Sequence, residues 1–280
     1  MTLLESLLTG LDEARRHWGQ TLLSLLGLIL GTASIVTVLA LFGGQAALTQ
    51  KYLDEVGGVG TVVIQNRDQP DSPTARELAS RRLTWRDAEL LTARARTARV
   101  VVPGWSHQLS YRAGGRSFEG EVVGTVPGYA VINDIRPLVG RFLTDLDVTR
   151  QSRVTVLGWK YADSLFGAAP RALGRLVELG GKRYTVVGVL VREEFRFASW
   201  ADNALEYRNE RAYIPISTAV AQHGGDDRLD FMTVKARPES GVASAEGELR
   251  SLLYAQHGVE DFDITPSGAN SSHAFSKKAL

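Results

Sequence analysis

The sequence predicts an α+β fold: one N-terminal transmembrane helix, then a split βαββαβ domain that carries an inserted β-rich subdomain. Three observations lead there. No residue from Trp18 to Gln50 bears a formal charge. A strand–helix–strand order occurs twice, once over residues 61–103 and again over 231–265. The stretch between them consists mainly of alternating apolar and polar segments broken by glycine pairs, the pattern of hairpins.

Within the uncharged run, Leu22 to Phe42 is 21 residues, of which 13 are Leu, Ile, Val or Phe. A helix of that length rises about 31 Å, which matches the roughly 30 Å hydrocarbon core of a bilayer. Its aliphatic residues favour insertion by roughly 4 to 8 kcal/mol. A cleaved signal peptide has an apolar core of only about 7–15 residues. A buried helix of a soluble domain is rarely apolar all round. The span is therefore assigned to residues 18–43 and a stalk helix to 44–58, with Leu48, Tyr52 and Val56 on one face and Gly57-Gly58 as its cap. Before it, Leu3, Leu4, Leu7, Leu8 and Leu11 recur at helical spacing, so residues 1–17 read as an amphipathic helix at the interface. Arg15 and Arg16 precede the span and Lys51 follows it, a bias that keeps the N-terminus in the cytoplasm. Gly27 and Gly31, flanked by Ser24 and Ser34, form a small-residue stripe of the kind that lets membrane helices approach closely.

Beyond the stalk, Thr61–Gln65 is rich in β-branched residues and reads as a strand. Asn66–Arg82, with two prolines, reads as a loop. Thr84 and Asp87 form a capping-box pattern that opens a helix through Ala95, with Ala88, Leu91 and Ala95 on one face. Arg99–Pro103 is the next strand. The order returns with strand Phe231–Ala236, helix Val242–His257 (Leu249, Leu252 and Leu253 inward) and strand Phe262–Thr265. Residues 59–104 and 223–266 would thus build one α/β unit, with 105–222 inserted and 267–280 a polar tail. In the insertion, Ser106–Arg112 and Ser117–Val123 flank Gly114-Gly115, and Leu176–Gly180 and Tyr184–Val191 flank Gly181-Lys182. Strand Arg153–Leu157 leads into a helix over Lys160–Phe166. Ala212–Ile216 is a late strand, with Pro215 expected at a sheet edge.

The chemistry-bearing residues form no catalytic set. A net charge of +1 gives no basic excess for nucleic acid, and the absence of cysteine excludes disulfides and thiolate ligands. Histidines 17, 107, 223, 257 and 273 show no metal-binding spacing. Asp226, Asp227 and Asp230 near His223 do not follow a calcium-loop pattern and read as a solvated loop. Asp145 and Asp147 beside Thr144 read as helix capping. Neither a nucleophile elbow nor a phosphate-binding glycine loop is present. Trp85, Trp105, Trp159 and Trp200 suit core or interface positions. Arg192, Glu193, Glu194, Arg196 and Arg208–Arg211 read as solvated charged loops.

The residues follow one another in a familiar order: a span ending in small residues, Gly60-Thr61-Val62-Val63 and Thr84-Trp85-Arg86-Asp87. Gly140-Arg141-Phe142-Leu143-Thr144 and Arg153-Val154-Thr155-Val156-Leu157-Gly158 come next. Leu165-Phe166-Gly167, Tyr184-Thr185-Val186-Val187-Gly188 and Tyr213-Ile214-Pro215-Ile216-Ser217 complete the set. Together they resemble the N-terminal half of MacB-like (FtsX/LolC-related) ABC transporter permeases. The resemblance implies a periplasmic, porter-like α/β domain with a β-rich insertion, held in the inner membrane and dimerised with a like or related subunit. It implies a noncatalytic chain with no cofactor of its own, ATP being bound by a separate ATPase subunit. Its partners would be that ATPase, other permease helices and a periplasmic protein or lipoprotein. Such permeases continue into further membrane helices, whereas this sequence reaches Leu280 without a second span. The expectation is a fragment or truncated subunit, or alternatively a standalone single-pass periplasmic adaptor.

Overall fold

A computed structural model describes residues 18–55, 60–67, 82–198, 200–224 and 227–266. The expected interfacial helix, the stalk's Gly57-Gly58 cap, most of the 66–82 loop and the polar tail lie outside those residues. Helix α1, Trp18–Glu55, is continuous, and its apolar side chains from Leu22 to Phe42 stand exposed. Thr32 and Thr37 donate their hydroxyls back to the carbonyls of Leu28, Ile29 and Ala33, so neither leaves an unmet polar group on an apolar helix.

The remaining described residues begin with β1 (Thr61–Asn66), α2 (Trp85–Arg94) and the 16-residue β2 (Ala98–Ala113). They end with β9 (Phe231–Ala236), α8 (Val242–His257) and β10 (Phe262–Pro266). These four strands form an antiparallel sheet in the order β10-β1-β9-β2. Taken in chain order the strands run 4-1-3-2, so each βαβ half contributes one inner and one outer strand. That is the split sandwich expected from the sequence. Val62, Ile64, Met232 and Val234 bury one sheet face with Leu91 of α2 and Leu249 and Leu253 of α8. Both helices keep their apolar positions at three- and four-residue spacing, so each turns a single stripe inward.

Between the halves lie β3 (Arg116–Thr125), α3 (Gly128–Ile132), β4 (Pro137–Gly140), α4 (Asp145–Thr149), β5 (Val154–Leu157) and α5 (Trp159–Phe166). Then come β6 (Leu176–Leu179), β7 (Lys182–Leu190), α6 (Glu206–Asn209), β8 (Arg211–Pro215) and α7 (Ile216–Ala219). Here β2 pairs with β3, β3 with β8, β8 with β5, β5 with β7, β7 with β6, and β6 returns to β2. The circuit closes, so the insertion is a six-stranded barrel, with β4 laid on β7 outside it. Tyr111, Val122, Leu157, Val177, Tyr184 and Ile214 are fully buried in its interior. The hairpin joining β2 and β3 turns at Gly114 and Gly115, whose φ of +57° and +80° only glycine adopts without strain.

Three expectations change. Arg99–Pro103 and Ser106–Arg112 are one strand: β2 leaves the sandwich at Gly104 and enters the barrel at Trp105 without a break. Pro103 does not interrupt it, because the Pro103 carbonyl accepts a bond from the Thr125 hydroxyl and no N–H is required on that side. Pro215 is not on an edge strand. β8 lies between β3 and β5, but β5 reaches only Ala212 and Tyr213, so the proline ends the strand beyond that ladder. Arg208 and Arg211 are not solvated; they are 5% and 2% exposed.

Gly140 and Gly188 face each other across the β4–β7 ladder. A Cβ on Gly140 (φ +76°) would lie 2.2 Å from the Val187 carbonyl oxygen, and one on Gly188 would lie 2.1 Å from that of Arg141. Gly140→Ala should destabilise the protein by about 1–3 kcal/mol. Gly247→Ala, on an exposed face of α8 with open space around it, should stabilise it by about 0.5–1 kcal/mol. Chemical denaturation of the two variants should shift the midpoint in opposite directions.

Candidate functional site

The residues predicted for helix packing lie on α1. Ser24, Gly27, Gly31 and Ser34 are spaced by three, four and three residues, so they share one face of the helix, and all are exposed. A Cβ on Gly27 or Gly31 would meet nothing within 4 Å. Packing among the described residues therefore does not call for glycine at either position.

In the sandwich, charged groups knit elements that are distant in sequence. His257, the last residue of α8, bridges two carboxylates: its Nδ1 lies 2.7 Å from Asp261 and its Nε2 lies 3.1 Å from Asp87. Asp87 also accepts from the Thr84 N–H and hydroxyl at 2.8 Å, so one carboxylate caps α2 and anchors α8. Burial pushes the imidazole pKa down, but the Asp261 and Asp87 hydrogen bonds outweigh it and lift the value to about 9. Burial also pushes the Asp87 carboxyl up, yet the bonds from His257 and Thr84 hold it below its ordinary range. The second predicted cap is likewise present. Asp147 accepts from the Thr144 N–H and hydroxyl, and Arg141 grips it from the other side with contacts of 2.6 and 3.1 Å.

Two further ion pairs are buried, one in the barrel wall and one between the segment after β7 and α6. Arg211 on β8 meets Glu121 on β3, whose other oxygen accepts from the Ser106 hydroxyl. Arg208 meets Glu193 at 2.8 Å and also donates to Asn133. Each arginine has a carboxylate beside it, which is what allows it to stay charged inside. Tyr213 Oη is buried nearby with no hydrogen-bond partner among the described residues.

Where β2 passes from sandwich to barrel, the buried Trp105 ring stacks with His107 and with His223, their centroids 4.3 and 5.9 Å away. The Tyr184 hydroxyl reaches His223 Nε2 at 2.9 Å. Asp230 accepts from the Ser106 N–H, and Asp227 accepts from the Trp85 N–H through its carbonyl, so this aspartate-rich loop ties the two parts together. Along the outer side of β2, a groove of about 290 Å³ is lined by Thr92, Arg99, Val100, Val126, Pro127 and Asp145. Among the described residues no three His, Cys, Asp or Glu side chains are placed to hold a metal ion.

An apolar helix long enough to cross a bilayer, followed by a split sandwich with a barrel set into it, defines an architectural class in which the buried charges of the folded part neutralise one another. Comparison with known proteins places the chain within that class. The family model for the MacB-like periplasmic core domain matches residues 21–252. A macrolide export ATP-binding/permease protein MacB of Hyphomonas neptunium is 28% identical over 262 residues, covering 93% of this chain and 39% of that protein. A MacB 2 protein of Yersinia pestis bv. Antiqua is also 28% identical, covering 88% of this chain and 34% of its own length. The chain thus spans less than two fifths of these relatives. The crystal structure of the periplasmic region of MacB from Actinobacillus actinomycetemcomitans superposes with a TM-score of 0.62 at 24% identity, covering 78% of this chain and 94% of that one. The extracellular domain of the ABC-type transporter YknZ from Gram-positive bacteria superposes at 0.59 and 21% identity, covering 73% and 99%. The chain belongs to the MacB-like periplasmic core domain family.

The histidine bridge sets a pH window. The raised imidazole pKa contributes stability that is complete below the unfolded value of 6.5 and disappears as pH rises through about 9. The lowered Asp87 carboxyl contributes stability that is present above 3.8 and disappears as pH falls below it. Stability should therefore peak between the two and decline on both sides. His257→Leu leaves two carboxylates facing each other and should cost about 3–5 kcal/mol, with the alkaline decline abolished in thermal melts across pH.

Proposed function

We propose that this chain is the membrane-anchored periplasmic part of a MacB-like ABC permease, coupling ATP-driven motion on the cytoplasmic side to export or to the handling of envelope proteins and lipoproteins. One observation carries the reading: a single continuous family match takes in both the apolar helix and the folded domain. In this reading α1 crosses the inner membrane with its N-terminus in the cytoplasm, as the arginines at 15 and 16 favour. ATP is hydrolysed by a separate ATPase subunit, and this chain performs no chemistry.

The architecture suits transmission of force. Domains joined by a flexible linker move independently, whereas β2 is hydrogen-bonded along both of its halves and gives the barrel and the sandwich a common strand. Displacement of one therefore moves the other. The open faces of Gly27 and Gly31 admit a second helix backbone, from another copy or from a related permease subunit.

Replacing both Gly27 and Gly31 with Leu should weaken association in the membrane about tenfold while leaving the folded domain intact. Crosslinking in native vesicles and co-purification with an ABC ATPase read this out. Retention of wild-type association by the double variant would dismiss the stripe. Failure of the unaltered chain to associate with any ATPase or permease component would favour a standalone adaptor.

A further inference from the structure

Four aromatic rings line up where the chain leaves the barrel for the second half of the sandwich. His107 stacks on Trp105 with centroids 4.3 Å apart, Trp105 on His223 at 5.9 Å, and His223 on Tyr184 at 6.2 Å, with successive planes within 28° of parallel. His223 lies in the π-helical turn Val220–Gly224, a widened turn of the kind that recurs at functional positions. Gly180, held at φ +54°, closes over the ring, where a Cβ would lie 3.0 Å from His223 Cε1. One imidazole thus meets β2, β7 and the turn between β6 and β7.

Its wiring is the reverse of that of His257. His257 holds its proton between two carboxylates, whereas no carboxylate pairs with His223 among the described residues. The groups that face it are the Tyr184 hydroxyl and the Lys182 cation from β7 and the His107 ring from β2. The Asp230 carboxylate is engaged by the Ser106 N–H and lies 3.5 Å from His107. Tyr184 is fully buried, with His223 Nε2 as its one hydrogen-bond partner among the described residues, so the phenol donates and the imidazole accepts. A proton added at Nε2 turns that acceptor into a donor and leaves the phenol proton without a partner, which is costly in an interior. The Trp105 face attracts an imidazolium, but burial, Lys182 and His107 oppose it and hold the His223 pKa below its usual range. The stability contributed by this ring is therefore complete above 6.5 and disappears as pH falls through the lowered value.

We infer that the ring stack is an acid-operated latch: protonation of His223 frees Val220–Gly224 from Trp105 and Tyr184 and loosens the passage from barrel to sandwich, while both subdomains stay folded. The sandwich keeps its own fastening in mild acid, because the Asp87–His257–Asp261 bridge is charged there. Strand β2 still joins the two subdomains, so acid weakens one passage between them and leaves the other. The latch belongs to the folded domain alone and does not depend on coupling to an ATPase.

Hydrogen–deuterium exchange of the full chain in detergent micelles tests this, with labelling times scaled for the intrinsic pH dependence of amide exchange. Between about pH 7.5 and about pH 5, peptides covering residues 216–224 should lose protection about tenfold, while those covering α2 and α8 should not. His223→Phe keeps a flat ring against Trp105 but takes no proton, and His223→Gln keeps an acceptor for Tyr184; each should abolish the difference. The glutamine variant decides alone if phenylalanine is not accommodated. Lys182→Met removes the facing cation and should move the onset to higher pH. Equal protection of the wild type at the two pH values overturns the inference, as does an acid response that persists in a folded His223 variant. Parallel loss of protection in α2 and α8 means that acid opens the whole domain, and the latch is then dismissed.

Discussion

Strand β2 bonds to β9 through its first half and to β3 through its second, and the rest of the extracytoplasmic fold is arranged about that division. Its 16 residues let the backbone cross from an open sheet into a closed one with hydrogen bonds on at least one side throughout. Trp105 sits at the crossing, and its ring adjoins the return path of the chain at His223. Two passages between subdomains are thereby fastened by one side chain, and the apolar core extends from the sandwich into the barrel without a polar interruption.

Buried charge follows a similar economy of position. The Asp87–His257–Asp261 bridge links the start of α2 to the end of α8 and the approach to β10, while Glu121–Arg211 fastens the barrel wall and Glu193–Arg208 ties the segment after β7 to α6. Pairs of this kind add little net stability over apolar residues of the same size, but removing one partner leaves a charge with no solvent. Their effect is to exclude alternatives: a slipped strand or a rotated helix would strand a carboxylate or a guanidinium in the interior.

The parts of this structure that were legible in the sequence are those governed by local rules. The long apolar helix follows from an uncharged run. Both capping boxes follow from a threonine and an aspartate three residues apart, and the hairpins from glycine pairs between alternating segments. The split sandwich followed from a repeated order of elements. What was hidden depends on contacts across long separations. Arg208 and Arg211 sit in a charge-dense stretch that resembles a solvated loop, and only Glu193 and Glu121, supplied from elsewhere, let them go inside. His257 carries a local hint in Asp261, four residues on, but its second partner lies 170 positions earlier. The closing of the barrel by β6 onto β2 has no local signature, nor does the uninterrupted course of β2 through Pro103. The small-residue stripe was legible as a pattern, and among the described residues nothing lies within 4 Å of a Cβ built at Gly27 or Gly31.

Inserting a closed barrel into the middle of another fold also has an entropic consequence. The two halves of the sandwich are separated by the whole insertion, and bringing together the ends of a flexible segment of that length would cost about 4 kcal/mol. A barrel that has already formed returns the chain close to where it departed, through the Trp105 and His223 contact, and removes most of that cost. The sandwich, whose two halves flank the insertion in sequence, therefore closes at least entropic cost around a finished barrel.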